Sequence, residues 1–159
     1  MKFEIVRFKE SDLEEIVNLF YDTVHSVNSK DYSEEQLHAW APIDEKDSKL
    51  LSWKESMSRN ITLVAKMHDQ VVGFCDLTID GHLDRLFVHK EYQGMGIASS
   101  LIKRLEVEAM KLNLSAIDTD ASITAKPFFE RQGYVVVSEQ TVERKGVQLT
   151  NFKMIKQLR

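Results

Sequence analysis

Cysteine occurs once in the 159 residues, at Cys75, and proline only twice, at Pro42 and Pro127. A single thiol forms no internal disulfide, so a reducing compartment, the cytoplasm, is expected. No apolar run approaches the roughly 18 residues of a membrane helix. The opening Met1-Lys2-Phe3-Glu4 does not read as a signal peptide, because charges break the apolar run at once. Basic blocks are missing too, and the net charge is −4, which argues against nucleic acid as the main partner and tolerates a cationic one. The five histidines, His25, His38, His68, His82 and His89, fall on separate elements without metal-ligand spacing, so no metal is expected. Repeats, linkers and low-complexity segments are likewise missing. What is present is 43% apolar and 29% charged residue, the balance of a globular chain. Its length suits one domain over 1–159 with a sizeable core.

Taken in order, Phe3 to Phe8 alternates loosely and predicts a strand. Ser11-Asp12-Leu13-Glu14 reads as a capping box. Leu13, Ile16, Val17, Phe20, Val24 and Val27 then mark one face of a helix. Ser33-Glu34-Glu35-Gln36 is a second capping box, opening a short helix that Pro42 ends. Ser48 to Met57 predicts a third helix. Strands follow over Ile61 to Met67 and Val71 to Ile79, with Asp80-Gly81 as a hairpin signal. A strand from His82 to His89 leads into a long helix. Further elements are a strand over Ser115 to Asp120, a helix over Ser122 to Gln132, and strands over Tyr134 to Glu139 and Val147 to Ile155. Hairpins followed by a strand–helix–strand crossover imply an α/β class, a mixed, mostly antiparallel sheet of about seven strands flanked by helices.

The centre of the pattern is Leu86 to Ser99. Apolar residues at Ala98, Leu101, Ile102, Leu105, Ala109 and Leu112 have helical spacing, so Gly94 and Gly96 fall at a helix N-terminus. That end presents free N–H groups and partial positive charge, which suits a pyrophosphate. Glycine lets the backbone approach without a Cβ. A helix start built only for packing is the plain alternative. A P-loop would need Gly-Lys-Ser/Thr, which is missing. Gly94, Gly96 and Ser99, with Asp118 about twenty residues on, mimic a dinucleotide fingerprint. There the strand turns directly into glycine, whereas here Lys90 to Gln93 intervene.

Gln93-Gly94-Met95-Gly96-Ile97-Ala98 fits Q/R-x-x-G-x-G/A behind a Leu-Phe-Val strand, and resembles the acetyl-CoA loop of the GCN5-related N-acetyltransferases. Ala125-Lys126-Pro127-Phe128-Phe129-Glu130-Arg131-Gln132-Gly133-Tyr134 is similar to that family's A-x-x-F-Y-x-x-x-G-F block, and the element order matches over nearly the whole chain. The run Asp31 to Pro42 resembles a bacterial subgroup whose substrates are mostly unassigned. The resemblance implies transfer of acetyl from acetyl-CoA to a primary amine of a small molecule or protein, directly within a ternary complex. A non-catalytic acyl-CoA-binding module of the same fold is the alternative, and a homodimer is left open. Phe129 stands where many family members carry the tyrosine that protonates the leaving thiolate.

The resemblance further implies cofactor contacts from Gln93, Gly94, Met95, Gly96, Ile97, Ala98 and Ser99, from Phe128 and Phe129, and from main chain at Phe87, Val88 and His89, where the strand is expected to splay from Ser115–Asp120. An amine acceptor arrives protonated, with a pKa of about 10.4 for a lysine-like group, so a base is required. Strict alternation puts His82, Asp84, Leu86 and Val88 on one face and Leu83, Arg85, Phe87 and His89 on the other. Asp84 is the first candidate base and His82 the second; a structural ion pair with Arg85 is the competing role for Asp84. Asp76, Thr78, Tyr32 and Trp40 are candidates for acceptor binding. Cys75, within an apolar strand, reads as core rather than as an acyl carrier. Tyr92 and Tyr134 are the alternative acids, with structural roles favoured.

Overall fold

A computed structural model describes residues 2–158 as five α-helices around a seven-stranded sheet. β1 (Glu4–Arg7) leads through a 3₁₀ turn into α1 (Leu13–Ser26). α2 (Glu34–Trp40) and α3 (Lys46–Arg59) follow. β2 (Ile61–Met67), β3 (Gln70–Leu77) and β4 (His82–Val88) form consecutive hairpins. α4 (Ile97–Lys111) crosses to β5 (Ala116–Ser122). α5 (Lys126–Arg131) precedes the final hairpin of β6 (Val135–Arg144) and β7 (Val147–Gln157). The order across the sheet is β1-β2-β3-β4-β5-β7-β6, and every neighbouring pair is antiparallel except β4–β5. Among the described residues no helix is long and apolar enough to cross a membrane.

The capping box at Ser33 forms as expected. Ser33 Oγ accepts from the Gln36 N–H at 3.1 Å, and Gln36 Oε1 accepts from the Ser33 N–H at 2.8 Å. A cap of this kind stabilises a helix by about 1 kcal/mol. The box expected at Ser11 does not form. The chain enters α1 through the 3₁₀ turn Glu10–Asp12, where the Asp12 carboxylate accepts from the Lys9 N–H at 3.1 Å and pairs with Lys66 at 2.8 Å. Local hydrogen bonding and a tertiary ion pair together outcompete the serine cap.

Each face of the sheet has its own core. α4 packs Ile97, Leu101, Ile102, Leu105 and Ala109 onto one face, all essentially sealed from solvent. α1 and α3 pack Ile16, Phe20, Val24, Trp53 and Met57 onto the other. The alternation expected along β4 breaks at Asp84. Arg85 is opposite Asp76 and Leu83 opposite Leu77, so Asp84 is the unpaired residue of a bulge. The slip puts Leu83 on the α4 side together with Leu86 and Val88, while Phe87 joins the core under α1.

Candidate active site

The loop after β4 is built from the end of the strand. A short 3₁₀ turn (Lys90–Tyr92) intervenes, which a dinucleotide-binding strand–glycine turn lacks. The Gln93 amide donates to the Val88 carbonyl at 2.6 Å and ties the loop back to β4. Gly94 and Gly96 have φ of +74° and +81°. A Cβ on either glycine would meet no atom within 4 Å, so packing is not the reason for glycine here. The reason is the left-handed backbone, which costs other residues roughly 1–2 kcal/mol. The first intrahelical bond of α4 runs from the Ser100 N–H to the Gly96 carbonyl at 3.0 Å. The N–H groups of Ile97, Ala98 and Ser99 therefore have no acceptor within the helix. With the two glycines they form a corner of free N–H groups, the kind of helix start that suits an anion.

Gly73, which sequence reasoning passed over, seats this corner. A Cβ there would lie 2.9 Å from Ile97 Cγ2 and 3.3 Å from Leu101 Cδ1, so its absence lets α4 press onto β3. A glycine inside an apolar strand was the available signal.

Next to the corner the sheet opens. β4 and β5 pair only at His82–Asp118 and Leu83–Thr119, with the Thr119 hydroxyl donating to the Leu83 carbonyl at 2.9 Å. Beyond Leu83, β4 keeps β3 on one side alone. The His89 N–H donates to the Val72 carbonyl at 2.8 Å. By the two-residue repeat of an antiparallel ladder, Phe87 and His89 turn their main chain toward β3, while Leu86 and Val88 turn theirs toward the gap. The Val88 carbonyl is occupied by Gln93 and by the Thr23 hydroxyl at 3.0 Å, which leaves its N–H directed into the opening.

A cavity of about 570 Å³ lies along this opening. Of the residues singled out from the sequence, His82, Asp84, Phe87, Phe129, Tyr32 and Trp40 line it. The Gln93–Ser99 loop, Val88, His89 and Phe128 lie outside its lining, as do Asp76 and Thr78. Tyr32 and Trp40 pack edge to face at 5.5 Å. The Tyr32 hydroxyl is fully engaged, donating to the Thr150 carbonyl at 2.7 Å and accepting from the Ile123 N–H at 2.9 Å. Thr78 belongs to the β3–β4 turn, where its hydroxyl contacts Asp80 and accepts from the His82 N–H at 2.9 Å.

His82 faces two carboxylates of β5. Its Nδ1 is 2.6 Å from Asp118 Oδ1, and its Nε2 is 3.8 Å from Asp120 Oδ2. Asp84 pairs with Arg85 at 3.6 Å. The Arg85 guanidinium stacks 4.5 Å above Trp53, donates to Ser56 Oγ at 2.8 Å, and meets Asp76 Oδ2 at 2.5 Å. Asp76 is sealed from solvent. Asn60 also donates to its Oδ2, at 2.9 Å, and among the described residues its Oδ1 has no hydrogen-bond partner. Burial pushes the Asp76 carboxyl up to about 6, against the pull of Arg85. Phe129 abuts Tyr134, whose hydroxyl donates to Glu106 at 2.9 Å. Burial, and then Glu106, raise the Tyr134 phenol far above its ordinary range, and neither Tyr134 nor Tyr92 lines the cavity. Burial likewise pushes up the thiol of Cys75, which sits in the core. Among the described residues no three metal-ligating side chains come together.

Residues 28–156 match the acetyltransferase (GNAT) domain family. The chain is 39% identical over 151 residues to the uncharacterized N-acetyltransferase YafP of Escherichia coli K12, covering 95% of this chain and 93% of that protein. A crystallised GCN5-related N-acetyltransferase from Rhodopseudomonas palustris superposes with a TM-score of 0.91 at 30% identity, over 99% of this chain and 96% of that one. YncA of Salmonella typhimurium, solved with acetyl-CoA, shares the fold at 17% identity and a TM-score of 0.74, over 100% and 95% of the two chains. The glycine corner, the opened β4–β5 pair and these likenesses agree, and the chain belongs to the GNAT family of N-acetyltransferases.

Proposed function

We propose that the chain transfers acetyl from acetyl-CoA to a primary amine, directly within a ternary complex. The observation that carries this reading is the adjacency of two features on β4. An anion-binding corner follows its end, and the cavity with a histidine and carboxylates opens along its gap. The N–H groups of Gly94 to Ser99 hold the pyrophosphate. Main chain at Val88 receives the pantetheine arm and the thioester oxygen, where negative charge develops during attack. The amine nitrogen adds to the carbonyl carbon, its proton passes to a base, and the carbon–sulfur bond breaks.

His82 is the base that the geometry favours. An Nδ1–H donated to Asp118 leaves the Nε2 lone pair free to accept a proton. The expectation from sequence ranked Asp84 first, but its charge is shared with Arg85. The leaving thiolate corresponds to a thiol of pKa about 8.5, so it departs without a strong acid. Phe129 is compatible with that, supplying an apolar wall where it lines the cavity. The test is release of free thiol from acetyl-CoA across a panel of primary amines. Amine-dependent release supports transfer. Tight acetyl-CoA binding with no release from any amine supports the binding-module alternative.

A further inference from the structure

The cavity carries charged and titratable groups of both kinds: His82, Asp84 and Asp120 from β4 and β5, and Lys49 of α3 with Arg144 at the end of β6. The other cations of the lining are matched. Lys145 pairs with Glu45, and Arg85 with Asp76 and Asp84. Among the described residues no carboxylate reaches ion-pair distance of Lys49 or of Arg144. Lys49 instead rests its ammonium 5.2 Å above Phe20 and 5.5 Å above Trp53. Partial burial lowers the ammonium's affinity for its proton, and the charges of Arg85 and Arg144 lower it further. Cations gathered around a half-buried lysine are an unfavourable arrangement unless an anion joins them. The Gln93–Ser99 corner contributes nothing to this lining, so the pyrophosphate of the cofactor does not supply that anion.

We propose that the acceptor is an amine that also carries a carboxylate or phosphate, with its anion held by Lys49 and Arg144 and its amine beside His82. This rests on the acetyl-transfer reading and names its substrate class. The amine end meets Asp84 and Asp120, which attract it while it is still protonated. Phe20, Trp53 and Phe87, with the Trp53 and Phe87 ring centroids 4.9 and 5.1 Å from that of Phe20, offer an aromatic wall of the same cavity against which an apolar body can lie.

The experiment is calorimetric binding of two matched pairs, with and without coenzyme A. L-phenylalanine is compared with L-phenylalaninamide, and O-phosphoethanolamine with ethanolamine. In at least one pair the anionic member is expected to bind roughly tenfold to a hundredfold tighter, the worth of a charge-assisted hydrogen bond. The pair that responds identifies the anion as carboxylate or phosphate. A Lys49→Met, Arg144→Gln double variant should equalise the members of that pair and leave coenzyme A binding unchanged. Equal binding within both pairs, including none detectable, overturns the proposal, as does a preference that survives in the double variant. Thiol release from neutral amines without any anion preference would overturn the anion site and leave acetyl transfer standing. Anion-dependent binding without thiol release from any amine would do the reverse.

Discussion

His82 and Asp118 meet across the parallel β4–β5 pairing, Nδ1 to Oδ1 at 2.6 Å, one position before those strands part at Leu83–Thr119. The register that aligns the two residues also sets where the cavity begins. An imidazole fixed from one side by a carboxylate turns its second nitrogen in a defined direction, and here that nitrogen comes within 3.8 Å of Asp120 Oδ2, both residues lining the cavity.

Replacing His82 by Gln should therefore lower turnover on the order of 10²–10⁴-fold at neutral pH, with acetyl-CoA binding unaltered. Asp118→Asn should lower kcat less and leave the KM for acetyl-CoA unchanged. Raising pH should recover part of the His82→Gln loss, because more amine then arrives deprotonated. Asp84→Asn is the control. A larger loss in Asp84→Asn than in His82→Gln, measured beside melting curves, would return the base to Asp84.

The glycine corner makes a separate prediction. Acetyl-CoA at a hundred times its dissociation constant should stabilise the chain by about 2.7 kcal/mol. Gly96→Asp should remove that gain, because φ is +81° there and a carboxylate repels phosphate. An undiminished melting shift in the variant would place the cofactor elsewhere.

Asp76 should leave a signature in stability against pH. Its folded pKa, about 6, is above the ordinary 3.8, so the folded chain holds this proton more tightly than the unfolded one. Its favourable contribution is then complete below about pH 4 and lost as pH rises toward 6, on the order of 3 kcal/mol in all. Asp76→Asn should flatten that part of the profile in denaturant titrations at several pH values. An unchanged slope would show that Arg85 keeps the carboxylate ionised throughout.

Cys75→Ala should leave turnover within a few-fold of the parent. The thiol lies at 0% exposure, and its burial disfavours the thiolate that would carry an acyl group. Mass spectrometry of the intact protein after mixing with acetyl-CoA checks this directly. An acetyl group on Cys75 formed as fast as turnover would contradict it.

How much of this could be read in advance follows from how local each feature is. The Ser33–Gln36 box, the Asp80–Gly81 turn and the Gly94–Gly96 corner each depend on a few consecutive residues, and the pattern carried them. The expected splay of β4 from the Ser115 strand is present as well, with pairing that stops at Leu83. The bulge at Asp84 could not be read, because it depends on how β3 pairs with β4 rather than on β4 alone. Asp118 was noticed only for its distance from the glycines; its place beside His82 depends on a parallel register set by the α4 crossover. Asp76, expected from the sequence to help bind the acceptor, is instead buried with Arg85, whose guanidinium also meets Ser56 and Trp53 of α3. Lys49 and Arg144 lie 95 positions apart in the sequence, and only the tertiary fold brings them to one cavity.

Direct transfer requires both substrates to be bound together. Initial rates of thiol release, measured while acetyl-CoA and an accepted amine are varied against each other, test it most directly. Direct transfer gives double-reciprocal lines that intersect, since neither product leaves before both substrates are bound. Parallel lines, the pattern of an acyl-enzyme that forms and releases coenzyme A before the amine arrives, would contradict it.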